Sequence, residues 1–286
     1  MKPHEIVVIS GKGGTGKTTL TSLLVASFGK TVICDADVDA PDLEILLKPE
    51  PLGEKPFWGM QTAKVDPSLC TGCSACVRAC RFDAITMAEG KAVVNTSFCE
   101  GCDVCRRVCP ESAISLIDTC QGTSYEGLTE FGPMWHAKLN PGGENSGKLV
   151  QFLRESARRT AREKGIPLIL TDGPPGIACP AISAMTGADL AIVVTEPSGA
   201  AFHDVDRLSQ VTARFGIPTA FVINKADLAL RMTEKLKEEA KARNWKIIGE
   251  IPFKRAVVDA VAETRIPVLE LEEEIKLIRK ELDVFL

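Results

Sequence analysis

The segment Ser10–Thr19, SGKGGTGKTT, constrains the fold more than any other stretch of this 286-residue chain. It follows the apolar run Glu5–Ser10 and leads into a helical pattern over Gly16–Phe28. Within it lies G-x-x-x-x-G-K-T, from Gly11 to Thr18. A strand that turns through glycines straight into a helix presents backbone N–H groups at a positive helix end, a cradle for phosphate oxygens. In this pattern Lys17 reaches the terminal phosphates and the Thr18 hydroxyl ligates Mg²⁺. Gly11, Gly13, Gly14, Thr15, Gly16, Lys17, Thr18 and Thr19 are therefore the expected phosphate-site residues, with ATP and Mg²⁺ as the expected ligands.

Elsewhere short β-branched runs alternate with helical patterns. Strands are expected at Thr31–Asp37, Pro167–Asp172, Asp189–Thr195, Thr219–Asn224 and Lys246–Ile251. Helices are expected at Gly147–Lys164, Ala200–Phe215, Arg231–Arg243, Lys254–Glu263 and Leu269–Leu282. Buried strands alternating with helices imply an α/β fold: a mostly parallel sheet with helices on both faces. The alternation breaks near Met60 and resumes near Gly147, so the expected domains are a discontinuous one, 1–60 and 118–286, and an insert, 61–117. Thr119–Ser146, rich in Gly, Pro, Asn and Thr, reads as an irregular connector, with Asn145 or Ser146 capping the next helix.

The insert carries eight of the eleven cysteines and is an internal repeat. Cys70-x₂-Cys73-x₂-Cys76-x₃-Cys80 is followed by Cys99-x₂-Cys102-x₂-Cys105-x₃-Cys109-Pro110. This is the run of a bacterial-type two-cluster ferredoxin-like module, in which the fourth cysteine of each run ligates the other cluster. One [4Fe–4S] cluster is thus expected on Cys70, Cys73, Cys76 and Cys109, and a second on Cys99, Cys102, Cys105 and Cys80. A pair of Cys₄ zinc sites is the competing reading; three ligands within seven residues would crowd a single tetrahedral ion. Arg81 departs from the pattern, standing where proline follows the second run.

GKGGTGKTT, with its additional Lys12, resembles the deviant Walker A motif of the MinD/ParA/nitrogenase-iron-protein superfamily. VICDADVDAPDLEILL resembles that superfamily's first switch and LILTDGPPG its second. The resemblance implies an ATP-dependent homodimer in which Lys12 reaches the partner's nucleotide. It implies that Asp37 positions the attacking water, and that Asp172 supports Mg²⁺ directly or through water. It also places Asp35 and Gly176 in the switches and gives Asn224, in VINKAD, the base. Independently, Asp35, Asp37 and Asp172 fall at the C-terminal ends of expected strands, where open α/β sheets bind ligands. With its insert, the whole chain resembles MinD-superfamily ATPases that contain a ferredoxin domain.

The function expected is ATP hydrolysis coupled to electron delivery towards a protein acceptor. Two alternatives stand beside it: a carrier or scaffold for Fe–S or metal-cofactor assembly, and a MinD/ParA-like positioning ATPase. No cysteine follows Cys179, which counts against the Mrp-type carriers and their C-terminal Cys-x-x-Cys. A net charge of −4 lacks the basic footprint of a nucleic-acid binder. No apolar run approaches ~18 residues, and the final helix has an acidic face, so no membrane partner is expected and the cytoplasm is the expected location. That helix, Cys34 and Cys179 are read as core, and His4, His136 and His203 as structural or exposed.

Overall fold

The computed structural model describes Lys2–Gly143 and Ser146–Leu286. The first elements are β1 (His4–Ser10), α1 (Lys17–Phe28), β2 (Val32–Asp35), α2 (Leu43–Leu47) and β3 (Glu50–Val65). Then come α3 (Ala75–Ala79), β4 (Ile85–Ala88), β5 (Lys91–Val94), α4 (Val104–Arg107), β6 (Ile114–Thr129) and β7 (Gly132–Leu139). The remainder alternates: α5 (Ser146–Lys164), β8 (Leu168–Pro175), α6 (Cys179–Met185), β9 (Leu190–Thr195), α7 (Ala201–Arg214), β10 (Thr219–Asn224), α8 (Leu230–Ala242), β11 (Lys246–Ile251), α9 (Arg255–Ala262) and α10 (Glu272–Leu282).

The main sheet has the order β11-β10-β9-β1-β8-β2-β7-β6-β3. From β11 to β7 every neighbouring pair is parallel. β1 is central because Ile6–Ile9 is apolar on both faces and wholly buried. Ile6 pairs in register with Leu170 and Leu190 on either side. Ile6 and Val8 join Leu20, Leu23 and Leu24 of α1 and Ile275, Ile278 and Leu282 of α10 in one core. Alternation turns Val7 and Ile9 to the opposite face. α10 packs inward, as expected: a Cβ on Gly249 would stand 2.3 Å from Ile278 Cγ1. No helix among the described residues is long and apolar enough to cross a membrane.

Glu5 breaks the apolar run of β1 and is 2% exposed. Its oxygens accept from Arg154 Nε at 2.6 Å and Arg158 Nε at 2.7 Å, and Arg154 also donates to the Thr186 carbonyl at 2.8 Å. A buried carboxylate is tolerated only with such pairing, and here it fastens β1 to α5 and to the end of α6.

The connector expected at Thr119–Ser146 is corrected by the structure. β6 and β7 occupy most of it, joined by two residues, a link that antiparallel neighbours allow. β7 then pairs parallel with β2, Ile33 opposite Met134 and Cys34 opposite Trp135. Met134 and Ala137 are fully buried, and Trp135 Nε1 donates to Thr160 Oγ1 at 3.0 Å. Burial of these side chains outweighs the breakers Gly132 and Pro133. β3, α2 and α6 are further elements beyond those expected from the sequence pattern. The helix begins at Ser146; Asn145 lies outside the described residues.

Two compact units emerge: Met1–Glu54 with Ser124–Lys138 and Ser146–Leu286, and Lys55–Thr123 with Leu139–Asn145. The expected limits at 60/61 and 117/118 fall at 54/55 and 123/124. The smaller unit contains the β4–β5 hairpin, with Ile85 opposite Val94, and the short helices α3 and α4. Its core is Ala63, Cys76, Ile85, Ala92, Cys105 and Ile114, with the other cysteines of the two runs packed around it.

Candidate functional site

The phosphate loop links β1 to α1. Gly14 and Gly16 have φ of 78° and 93°, a left-handed backbone that favours glycine. At Gly16 a Cβ would also stand 2.3 Å from Asn224 Nδ2. That amide donates to the Thr15 carbonyl at 2.7 Å, so the end of β10 braces the loop. Gly11 is equally tight, its Cβ position 2.2 Å from Asp204 Cβ. Gly13 has open space. Thr15 Oγ1 is buried without a hydrogen-bond partner among the described residues. An orphaned hydroxyl in a phosphate cradle fits a ligand that accepts from it.

Four expected residues converge. Thr18 Oγ1 donates to Asp172 Oδ2 at 2.7 Å, and Lys17 Nζ lies 3.7 Å from Asp37 Oδ2. Thr21, one helical turn after Lys17 and missed in the sequence reading, donates to Asp172 Oδ1 at 3.0 Å. Asp35 takes a different part: its oxygens accept from the backbone N–H groups of Asp37 and Leu43, both at 3.1 Å. It therefore shapes the β2–α2 loop that carries Asp37. Gly176, with φ of 83°, donates its N–H to the Ser10 carbonyl at 2.7 Å and ties the end of β8 to the loop. Thr19 and Asn224 line a cavity of about 210 Å³ with Leu23, Phe253, Val257 and Leu271, an apolar slot that residue spacing does not reveal.

Burial pushes Asp172 and Asp35 above the usual carboxylate range, and for Asp35 the nearby Asp172 adds to the rise. Burial also raises Asp37, against the pull of Lys17. Three carboxylates around one lysine favour an added cation, and hard oxygen donors of this kind suit Mg²⁺. Lys12, also in the loop, pairs with Glu196 at 2.5 Å.

In the smaller unit the two cysteine runs interleave. One small cavity is lined by Cys70, Cys73, Cys76 and Cys109, the other by Cys80, Cys99, Cys102 and Cys105. Each thus takes three thiols from one run and the fourth from the other. Gly72 and Gly101, at φ of 74° and 59°, make these turns; a Cβ would stand 2.3 Å from the Gly90 carbonyl oxygen and 2.1 Å from that of Gln61. Backbone N–H groups of Ala63 and Ala113 reach Cys99 Sγ and Cys109 Sγ, each at 3.3 Å. Amides of Ala92 and Gly72 lower the Cys70 thiol, whereas burial raises those of Cys76 and Cys105. None of the eight is in a disulfide. Among the described residues no three His, Cys, Asp or Glu side chains gather as ligands of one metal ion.

Cys34 is buried, as expected, and burial raises its thiol far above the usual range. Cys179, expected in the core, is instead exposed at the start of α6. The apolar neighbours Ala181 and Ala184 are the buried ones, and they account for the misleading pattern. His136 is buried and bonds to Glu44 at 2.7 Å, away from the loop residues described above.

The CobQ/CobB/MinD/ParA nucleotide binding domain model matches residues 6–268. An uncharacterized protein of Methanocaldococcus jannaschii is 37% identical over 226 residues, 77% of this chain and 78% of that protein. The septum site-determining protein MinD of Neisseria meningitidis serogroup B is 25% identical over 207 residues, 71% of this chain and 57% of that protein. Among solved structures, MinD of Pyrococcus horikoshii OT3, complexed with Mg-ADP, aligns with a TM-score of 0.59 at 19% identity, covering 98% of this chain and 96% of that one. That likeness is one of fold, and it matches the α/β, mostly parallel P-loop architecture described above. The chain belongs to the CobQ/CobB/MinD/ParA nucleotide-binding domain family.

Proposed function

We propose that this chain is a Mg²⁺-dependent ATPase of the MinD/ParA kind that acts as an ATP-dependent homodimer and carries two [4Fe–4S] clusters. The convergence of Lys17, Thr18, Asp37 and Asp172 on the phosphate loop carries the ATPase reading. The Mg-ADP in the Pyrococcus MinD structure supports the same ligand class here. Phosphoryl transfer is mostly positioning and charge stabilisation. Loop amides and Lys17 hold the phosphates; Thr18, with Asp172 directly or through water, holds Mg²⁺; Asp37 orients the attacking water. Lys12 reaches the nucleotide of a second copy, and Asn224 stands at the wall of the base slot. Lys17→Ala should weaken nucleotide binding at least tenfold. Asp37→Ala should bind nucleotide normally yet hydrolyse it roughly a hundredfold more slowly. Fluorescent-nucleotide titration and phosphate release measure the two; equal loss of binding in both variants would contradict these roles.

The crossed cysteine quartets favour the two-cluster reading of the insert, a bacterial-type ferredoxin-like module. Such clusters supply one-electron redox chemistry when bound, which is the ground for reading the chain as delivering electrons to a protein acceptor. Family membership by itself supports the MinD/ParA-like ATPase and is silent on electrons. The assembly-carrier reading stands as the alternative for the same cysteine quartets. Eleven cysteines with no disulfide among the described residues suit a reducing compartment, hence the cytoplasm. No nucleic-acid or membrane partner is proposed.

A further inference from the structure

Lys12 is a loop residue that, in the dimer proposed above, must leave its own chain. Within one chain it is already held. Lys12 Nζ lies 2.5 Å from Glu196 Oε1 and donates to Ser198 Oγ at 3.4 Å. The second oxygen of Glu196 lies 3.1 Å from Lys225 Nζ, and Lys225 Nζ also donates to the Gly14 carbonyl at 3.1 Å. A single carboxylate, 21% exposed, therefore holds two lysines against the phosphate loop. Burial opposes ionisation of Glu196, but hydrogen bonds from Lys12 and Lys225 outweigh it and hold the carboxyl below the usual range. Ser198 donates its backbone N–H to the Glu196 carbonyl at 2.8 Å, so the turn after β9 presents both Lys12 partners together.

We infer that Glu196 is a positioning residue that clasps Lys12 to its own chain, so that dimerisation requires a second copy's nucleotide phosphate to displace the carboxylate. This rests on the dimer reading above. A Lys12 that reaches into a second copy carries its ammonium away from Glu196, which its own chain holds beside the loop, so exchange of the carboxylate for phosphate adds the cost of breaking the clasp to dimer formation. By linkage, loss of the clasp tightens the dimer by the same factor. Half-exposed pairs are weak, so the factor is modest, roughly threefold to tenfold.

The test uses Glu196→Gln, which keeps the side-chain shape and removes the charge. The first readout needs no nucleotide: acylation of the Lys12 amine by a succinimidyl ester, followed by peptide mass spectrometry. Glu196→Gln should label Lys12 several-fold faster than the wild type, with Glu196→Asp, which keeps the charge, falling between. The second readout is the dissociation constant of the ATP-dependent dimer by sedimentation, which should fall roughly fivefold. Unchanged Lys12 labelling would overturn the clasp, whether or not the chain hydrolyses ATP. Faster labelling with an unchanged or weakened dimer would overturn its gating part. Absence of any ATP-dependent dimer in the wild type would overturn the dimer reading itself, while the labelling still decides the clasp.

Discussion

Asp172 of β8 accepts a hydrogen bond from Thr18 at the phosphate loop. The DGPPG segment marked it, and the structure adds that it is 1% exposed and held by two threonine hydroxyls. Burial pushes its carboxyl up to about 6 from an ordinary 3.8. The folded chain then holds a proton that the unfolded chain releases, so this contribution to stability is greatest in acid and is lost as pH rises from about 4 to about 6. Urea midpoints across that window should fall less steeply for Asp172→Asn than for the wild type; parallel curves would contradict the shift. Other residues were legible only in part. Asp35 was marked as a ligand by its place after a strand, yet both its oxygens serve backbone N–H groups. Asn224 was marked for the base, and its amide braces Thr15. Such hydrogen bonds depend on where distant strands end, which spacing does not encode.

Among elements, the strands with continuous apolar runs were read within a few residues, β10 and β11 at their observed ends. β7 was not, because Gly132, Pro133 and His136 interrupt its apolar pattern. Its stability comes from neighbours: β2 on one side and Thr160 of α5 against Trp135. Trp135→Ala should therefore destabilise the chain by about 3–5 kcal/mol, as for a large buried aromatic. The Glu5 cluster makes a second case. Arg154→Ala strips a buried carboxylate of one of its two cations, and breaking a buried pair costs about 3–5 kcal/mol. Chemical denaturation measures both; losses below about 1 kcal/mol would show that these contacts do not fasten β7 or α5.

On the scale of the whole molecule, the internal repeat was the most legible feature, because cysteine spacing survives folding unchanged. The quartets that line each cavity combine both runs, so the expectation for single variants is specific. Anaerobically purified chain should hold about eight irons as two cubanes. Cys80→Ser should disturb the same cluster as Cys99→Ser, although Cys80 lies in the other run. Stoichiometric zinc without visible-region charge-transfer absorption would overturn this. The boundaries of the two units were less legible, since β3 and β6 run past the expected limits.

Whether the chain hydrolyses ATP as a dimer is read from phosphate release per chain, with Mg-ATP under anaerobic conditions, across a range of chain concentrations. A dimeric ATPase predicts a specific activity that rises with concentration to a plateau and falls away in Lys12→Ala and Asp37→Ala. A specific activity independent of concentration, or one that survives Asp37→Ala, would contradict it.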